Sequence, residues 1–239
     1  MDDHKKDSLR STPSHKGLLR VEIKLVNEEL PFSLQTEYKN ANGDFYKVGT
    51  LMFYLSKIQL FNSLTGESFQ DSKSYLIEKS LNRTRLTFDV GWVDTSVVFD
   101  VLTLGIGVDS LQNSRLDHKG ELDPALGMFW DWVTGYKFFL IEGNYRIQNT
   151  SSWQFFEYHI GLNPNYRIQR FDMVNRKLNQ PIKFRGGKTT TLILEFDVAE
   201  IFKNPHTIDM SAVHSIHDWK DSYLIADNYA NGFRAFVFY

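Results

Sequence analysis

The chain has 239 residues, 42% of them hydrophobic and 23% charged, with a net charge of -2. That balance suits a soluble globular domain and gives no electrostatic case for nucleic acid or an anionic membrane. There are no cysteines, which excludes disulfides, thiolate catalysis and zinc–thiolate centres, and no apolar run is long enough to span a bilayer.

The opening, MDDHKKDSLRSTPSHKG, is polar and without periodicity, as a tether is. Residues 1–18 are therefore read as a disordered tether and 19–239 as one domain. One hypothesis makes the opening the start of a mature exported protein or lipoprotein, its signal and lipid-bearing cysteine removed. From Leu19 the pattern changes. Leu19, Val21, Ile23 and Leu25 alternate with Arg20, Glu22 and Lys24, the mark of a half-buried strand. Residues 47–61 predict a long aromatic strand, with a break expected near Ser56-Lys57. Short strands follow at Tyr75–Glu78 and Thr84–Val90, and a central, β-branched strand at 96–104.

Gly105 and Gly107 come next, where unusual backbone angles or close approach are expected. Residues 109–126 hold Asp109, Asn113, Asp117, Glu121 and Asp123, enough oxygen for a structural calcium site, though without EF-hand spacing; a solvated loop is the default. In GMFWDW, an extended backbone would turn Met128, Trp130 and Trp132 to one face. Strands are predicted at Tyr136–Glu142, Trp153–Ile160, Thr191–Val198 and Phe233–Tyr239. One helical turn is expected at 197–203, and one short helix within 210–230. The sum is all-β: a single antiparallel β-sandwich with long decorated loops and at most short helices.

The seven histidines form no tight metal motif. His214 and His217 would share a helix face but point apart on a strand. His159 alternates with Phe155 and Glu157, and strand pairing could bring it to either. Glu142, Glu157 and Asp131 could serve a glycosidase only at the right separation. A row of exposed aromatics, Trp153 and Trp92 included, would instead suit an adhesion or carbohydrate-binding module.

GIGVDS from Gly105, LDPALGMFWDWVTGYKFFLIEG from Leu122 and YHIG from Tyr158 together resemble the MbnP-like family. So do the LxFYLSxIxLF pattern at 51–61 and the HSIH…ADN…F region near the C-terminus. The resemblance covers most of residues 19–239. It implies an exported, non-catalytic β-sandwich of the periplasm or cell envelope that binds Cu(I), expected to be a monomer, with a lipid anchor in the longer protein. It also implies a partner, a di-haem enzyme related to bacterial cytochrome c peroxidases, which oxidises Trp130 or Trp132 to kynurenine. Carried over residue by residue, His159 and His214 join that residue as copper ligands, with His217 in reserve and Glu157 and Asp218 as carboxylates to hold the imidazoles. One departure stands out: some relatives carry a first-strand histidine, where this chain has VEIKLV with Lys24.

Overall fold

The computed structural model describes residues 15–115, 117, 119–131, 133–173, 181–217 and 220–238. Residues 1–14 of the expected tether, and Trp132, Asp218 and Trp219, lie outside the described residues.

The principal elements are β1 (Lys16–Asn27), β2 (Phe45–Phe61), β3 (Ser74–Ser80), β4 (Thr87–Asp94), β5 (Val101–Ile106), α1 (Ser110–Asn113), β6 (Phe129–Asp131), β7 (Gly135–Arg146), β8 (Gln154–Gly161), β9 (Arg167–Asp172), β10 (Thr189–Asp197), β11 (Ser215–Ile216), α2 (Ser222–Asn231) and β12 (Phe233–Phe238). They form two main sheets. The smaller runs β12–β10–β1, with β4 also on β1; the larger runs β9–β5–β2–β7–β8–β11. The fold is an all-β sandwich. Period-two patterning decides which residues meet in its core: Leu19, Val21, Ile23, Leu192, Leu194 and Phe196 from one sheet, and Val48, Phe53, Phe139, Ile141, Phe156 and Tyr158 from the other. The Phe53 and Phe196 rings meet between the sheets at 5.5 Å.

The long second strand is continuous, but the irregularity expected near Ser56-Lys57 is there. Lys57 has φ 48, and the pairing with β5 shifts register beside it, between Thr103 and Gly105. The turn after β10 is a 3-10 helix at Val198–Phe202, opened by the Asp197 side chain accepting from the Ala199 N–H.

The sheets are mixed rather than wholly antiparallel. β1 pairs with β10 in parallel, and so does β8 with β11. Strands remote in the chain are not joined by a hairpin, so packing rather than a turn sets their direction. The short helix comes later than His214 and His217: it is Ser222–Asn231, and Ser215–Ile216 between the two histidines is a strand. Arg167–Asp172 is a further strand. Its alternation leaves Ile168 exposed and Arg167 and Gln169 half-buried, so no apolar period announces it.

The helix α2 is fastened near its middle by charge. Arg167 donates from Nε and Nη2 to Asp227 Oδ1 at 3.0 and 2.7 Å, and His206 Nε2 lies 3.1 Å from Asp227 Oδ2. Burial pushes the Asp227 carboxyl up, but the bonds from His206 and Arg167 outweigh it and hold the group below the ordinary carboxylate range. An acid with a depressed native value stabilises the fold above its unfolded value of about 3.9 and loses that contribution as pH falls through the native one. Acid unfolding followed by far-UV circular dichroism is therefore expected to begin at higher pH in Asp227→Asn than in the parent, and to flatten between about pH 4 and 2. Identical acid transitions would show that the pair contributes nothing.

The larger sheet carries a second, smaller core on its outer face. Met52, Tyr54, Leu76, Val108, Met128, Tyr136, Phe138 and Leu140 cluster there, with Leu122, Leu126 and Phe129 packed against them. Val108, Leu122, Leu126, Met128 and Phe129, between Gly107 and Gly135, supply its cover. Gly107 starts that excursion at φ 114, and a Cβ there would lie 2.7 Å from the Phe138 ring; only glycine tolerates both conditions. The cover is sewn down by Tyr54 Oη donating to the Glu121 carbonyl at 2.9 Å, by Tyr136 Oη to the Leu122 carbonyl, and by an Arg85–Glu121 ion pair.

Candidate metal centre

Along β8, Phe156, Tyr158 and Ile160 face the main core, so Glu157, His159 and Gly161 face outward. Across to β7, Leu140 stands opposite His159 and Glu142 opposite Glu157. On the other side, β11 places Ser215 opposite Glu157. His217, two residues on, arrives beside His159, their ring centroids 4.5 Å apart and perpendicular. One ligand-type atom from each of Glu157, His159 and His217 lies within 4.8 Å of the others.

The bonds around this cluster are specific. His159 Nε2 is 2.7 Å from Glu142 Oε1, and His217 Nε2 is 2.7 Å from Glu157 Oε1. If Nε2–H donates to Glu142, Nδ1 keeps its lone pair, which is the tautomer a metal-binding imidazole needs. His159 is 9% exposed. Burial holds its imidazole below the ordinary value and outweighs the Glu142 bond, with the charges of Lys137 and His217 adding in the same direction. The hydrogen bond from His217 holds the Glu157 carboxyl below its ordinary range against burial. Lys137, whose Nζ donates to the Gly127 carbonyl at 3.0 Å, is lowered by burial.

Trp130 lies at the end of this row. A Cβ on Gly161 would be 2.6 Å from Trp130 Cζ3 and 2.6 Å from the Tyr136 carbonyl oxygen. Its half-buried ring thus fills the place a side chain at 161 would take, next along the outer face from His159. The expected one-face alternation of the GMFWDW stretch is broken, because Met128 and Phe129 both pack on the small core and the register with β7 shifts between Phe129 and Asp131. Gly161→Ala should push the indole aside and cost about 1–3 kcal/mol, the usual penalty of overpacking. Urea melts with a shifted tryptophan emission would record it; an unchanged midpoint and spectrum would mean the ring is not seated there.

His214 does not join the cluster. It is exposed, its ring lies against Tyr145 at 5.6 Å, and its carbonyl accepts from the Glu157 N–H at 2.9 Å. The intervening strand turns His214 and His217 to opposite sides, so of the two the one beside His159 is His217. Glu142 was legible only as a generic carboxylate, although its alternation with Leu140 placed it on one face of its strand. Glu142 and Glu157 do stand opposite each other, but each is bonded to a histidine.

The remaining oxygens are committed locally. Asp109 caps α1 through the Leu111 N–H, Asn113 Oδ1 accepts from the Tyr136 N–H, Asp117 pairs with Arg115, and Asp123 accepts from the Ala125 N–H. Among the described residues they form no metal-ligand group. Nor do the outer aromatics make one flat row. Lys47 Nζ sits 4.4 Å from the Trp153 ring centre, and Trp92 belongs to the smaller sheet, opposite Leu18.

The sequence profile of the MbnP family matches residues 16–218. The chain belongs to the MbnP family. Among solved structures, MbnP from Methylosinus trichosporium is similar with a TM-score of 0.56 and 13% identity, over 86% of this chain and 82% of that one; at that identity the likeness is one of fold. No curated protein matches the sequence. The match to the MbnP profile takes in β8, β11 and the whole cover segment, so every residue of the cluster lies within it. No described helix of this MbnP-family chain is long and apolar enough to cross a membrane.

Proposed function

We propose that this MbnP-family chain is a non-catalytic copper-binding protein of the periplasm or cell envelope, and the substrate of a di-haem enzyme that oxidises Trp130 to kynurenine. The observation that carries the reading is the row Glu157–His159–Trp130 on one face, with the His217 ring 4.5 Å from that of His159. Imidazole suits copper, and the donor set fits the ion. His159 and His217 would hold it, Glu157 would stand as a third ligand, and Glu142 would orient His159 from outside.

Oxidation gives the indole a reason to be there. An intact indole N–H only donates and is a poor ligand. Cleaving the indole C2–C3 bond, with the oxygen atoms and oxidising equivalents delivered by a peroxide through the haem partner, gives N-formylkynurenine. Hydrolysis then releases formate and leaves an aromatic amine and a ketone, which exposes a nitrogen donor at the edge of the same row. The half-buried position of Trp130 keeps the ring oriented while leaving an edge accessible to a partner enzyme.

Co-expression with such a di-haem enzyme tests the reading. Peptide mapping by mass spectrometry should place one oxidised indole at Trp130, and Trp130→Phe should prevent it. The modified protein should take up one copper and hold it more tightly than the unmodified chain. A modified protein that takes up no copper would sink the proposal.

A further inference from the structure

We infer that the Glu157–His159–His217 cluster, while Trp130 is still an intact indole, selects a divalent cation, Cu(II) or Zn(II), over Cu(I). The inference rests on the reading of this cluster as a metal centre. It departs from that reading in the ion and in needing no oxidised tryptophan.

The donor set carries it. Two borderline imidazoles are joined by a hard carboxylate oxygen. Met52 and Met128 belong to the small core, buried among Tyr54, Leu76, Phe138 and Leu140. Thioether and thiolate select Cu(I), whereas imidazole with carboxylate suits divalent ions, as in three-ligand zinc sites.

Geometry permits the closure. Bonds of about 2.0–2.1 Å in a tetrahedral shell set neighbouring ligand atoms roughly 3.4 Å apart. The present atoms span up to 4.8 Å, while Glu157 Oε1 and His217 Nε2 lie at 2.7 Å. The required shifts are therefore on the order of 1 Å, and they fall on side chains at the rim. The His217 side chain is 44% exposed and that of Glu157 30%, so a fourth position is open to water. His159, the inner member, already has its Nε2 held by Glu142.

The test uses the full chain made without any haem partner, its indoles verified intact by mass. Zn(II), Cu(II) and, anaerobically with a reductant, Cu(I) are titrated separately. The expected result is one equivalent of Zn(II) that raises the Tm, and a Cu(II) paramagnetic spectrum split by imidazole nitrogen. Glu157→Gln should weaken both divalent ions by at least about tenfold, and by a larger factor than it weakens Cu(I). Glu157→Asp, which keeps the carboxylate, should retain divalent binding. Divalent binding indifferent to Glu157→Gln, or uptake of Cu(I) alone, overturns the inference and leaves the copper reading in place. Failure of every ion to bind, before and after enzymatic modification, removes both.

Discussion

His159→Ala is expected to abolish copper uptake while the sandwich stays folded. The residue supplies the inner nitrogen of the cluster, and its ring is flanked by Glu142 at 2.7 Å and by the His217 ring at 4.5 Å. Loss of a supporting partner costs a metal site about 10–100-fold in affinity; loss of the ligand itself should exceed that range. Glu142→Gln keeps the shape and removes the charge, so its effect should fall within it. His214→Ala should change affinity by less than about twofold, because its ring lies on Tyr145 and contributes nothing to the ligand group. Competition titrations with a chromophoric chelator measure all three. The reverse ranking, with His214 essential and His159 dispensable, would move the centre to the other side of β11.

The second large effect is on stability. Phe139 is fully buried, and its ring centre lies 5.7 Å from that of Phe53, 6.0 Å from Phe196 and 4.9 Å from Tyr229. It therefore touches both sheets and α2 at once. Phe139→Ala removes contacts to three rings and leaves a cavity that a fully paired central strand cannot collapse. The expected cost is about 3–5 kcal/mol, against a total stability of order 5–15 kcal/mol for an ordinary domain. For a chain of this length that corresponds to a Tm lowered by roughly 6–20 °C. Leu64→Ala is the matched control: Leu64 is 92% exposed and should move the midpoint by less than about 0.5 kcal/mol. A Phe139→Ala variant melting with the parent would contradict the packing described here.

Much of the fold is local information. Alternation in Leu19–Leu25, in Leu192–Phe196 and through β8 names both the strands and their inward faces, because a side-chain period of two leaves one choice of face once one set is apolar. The same rule puts Glu157 and His159 together on the outer face. Gly105 and Gly107 announce a close approach, and the structure places the Tyr166 and Phe138 rings where their side chains would be. The helix position was harder to read. Residues 210–231 hold both a two-residue strand and a ten-residue helix, and neither has a period long enough to declare itself.

What the sequence by itself determined is the main alternating strands with their inward faces and the outward placement of Glu157, His159 and Glu142; the strands at Arg167–Asp172 and Ser215–Ile216 were not among them. What only the tertiary structure decided is which distant residue would meet them. The choice of His217 over His214 follows from the parallel pairing of β8 with β11 in one register, and a slip of one residue would exchange the two. That register is held by Ile216 buried in the main core, by the Tyr158 hydroxyl donating to the Val213 carbonyl at 2.6 Å and by the Glu157 N–H donating to the His214 carbonyl. The seat of Trp130 against Gly161 likewise depends on how the cover segment folds over the small core. Contacts between remote segments are fixed by packing and backbone pairing summed over the whole domain, and no local pattern in either segment carries that sum.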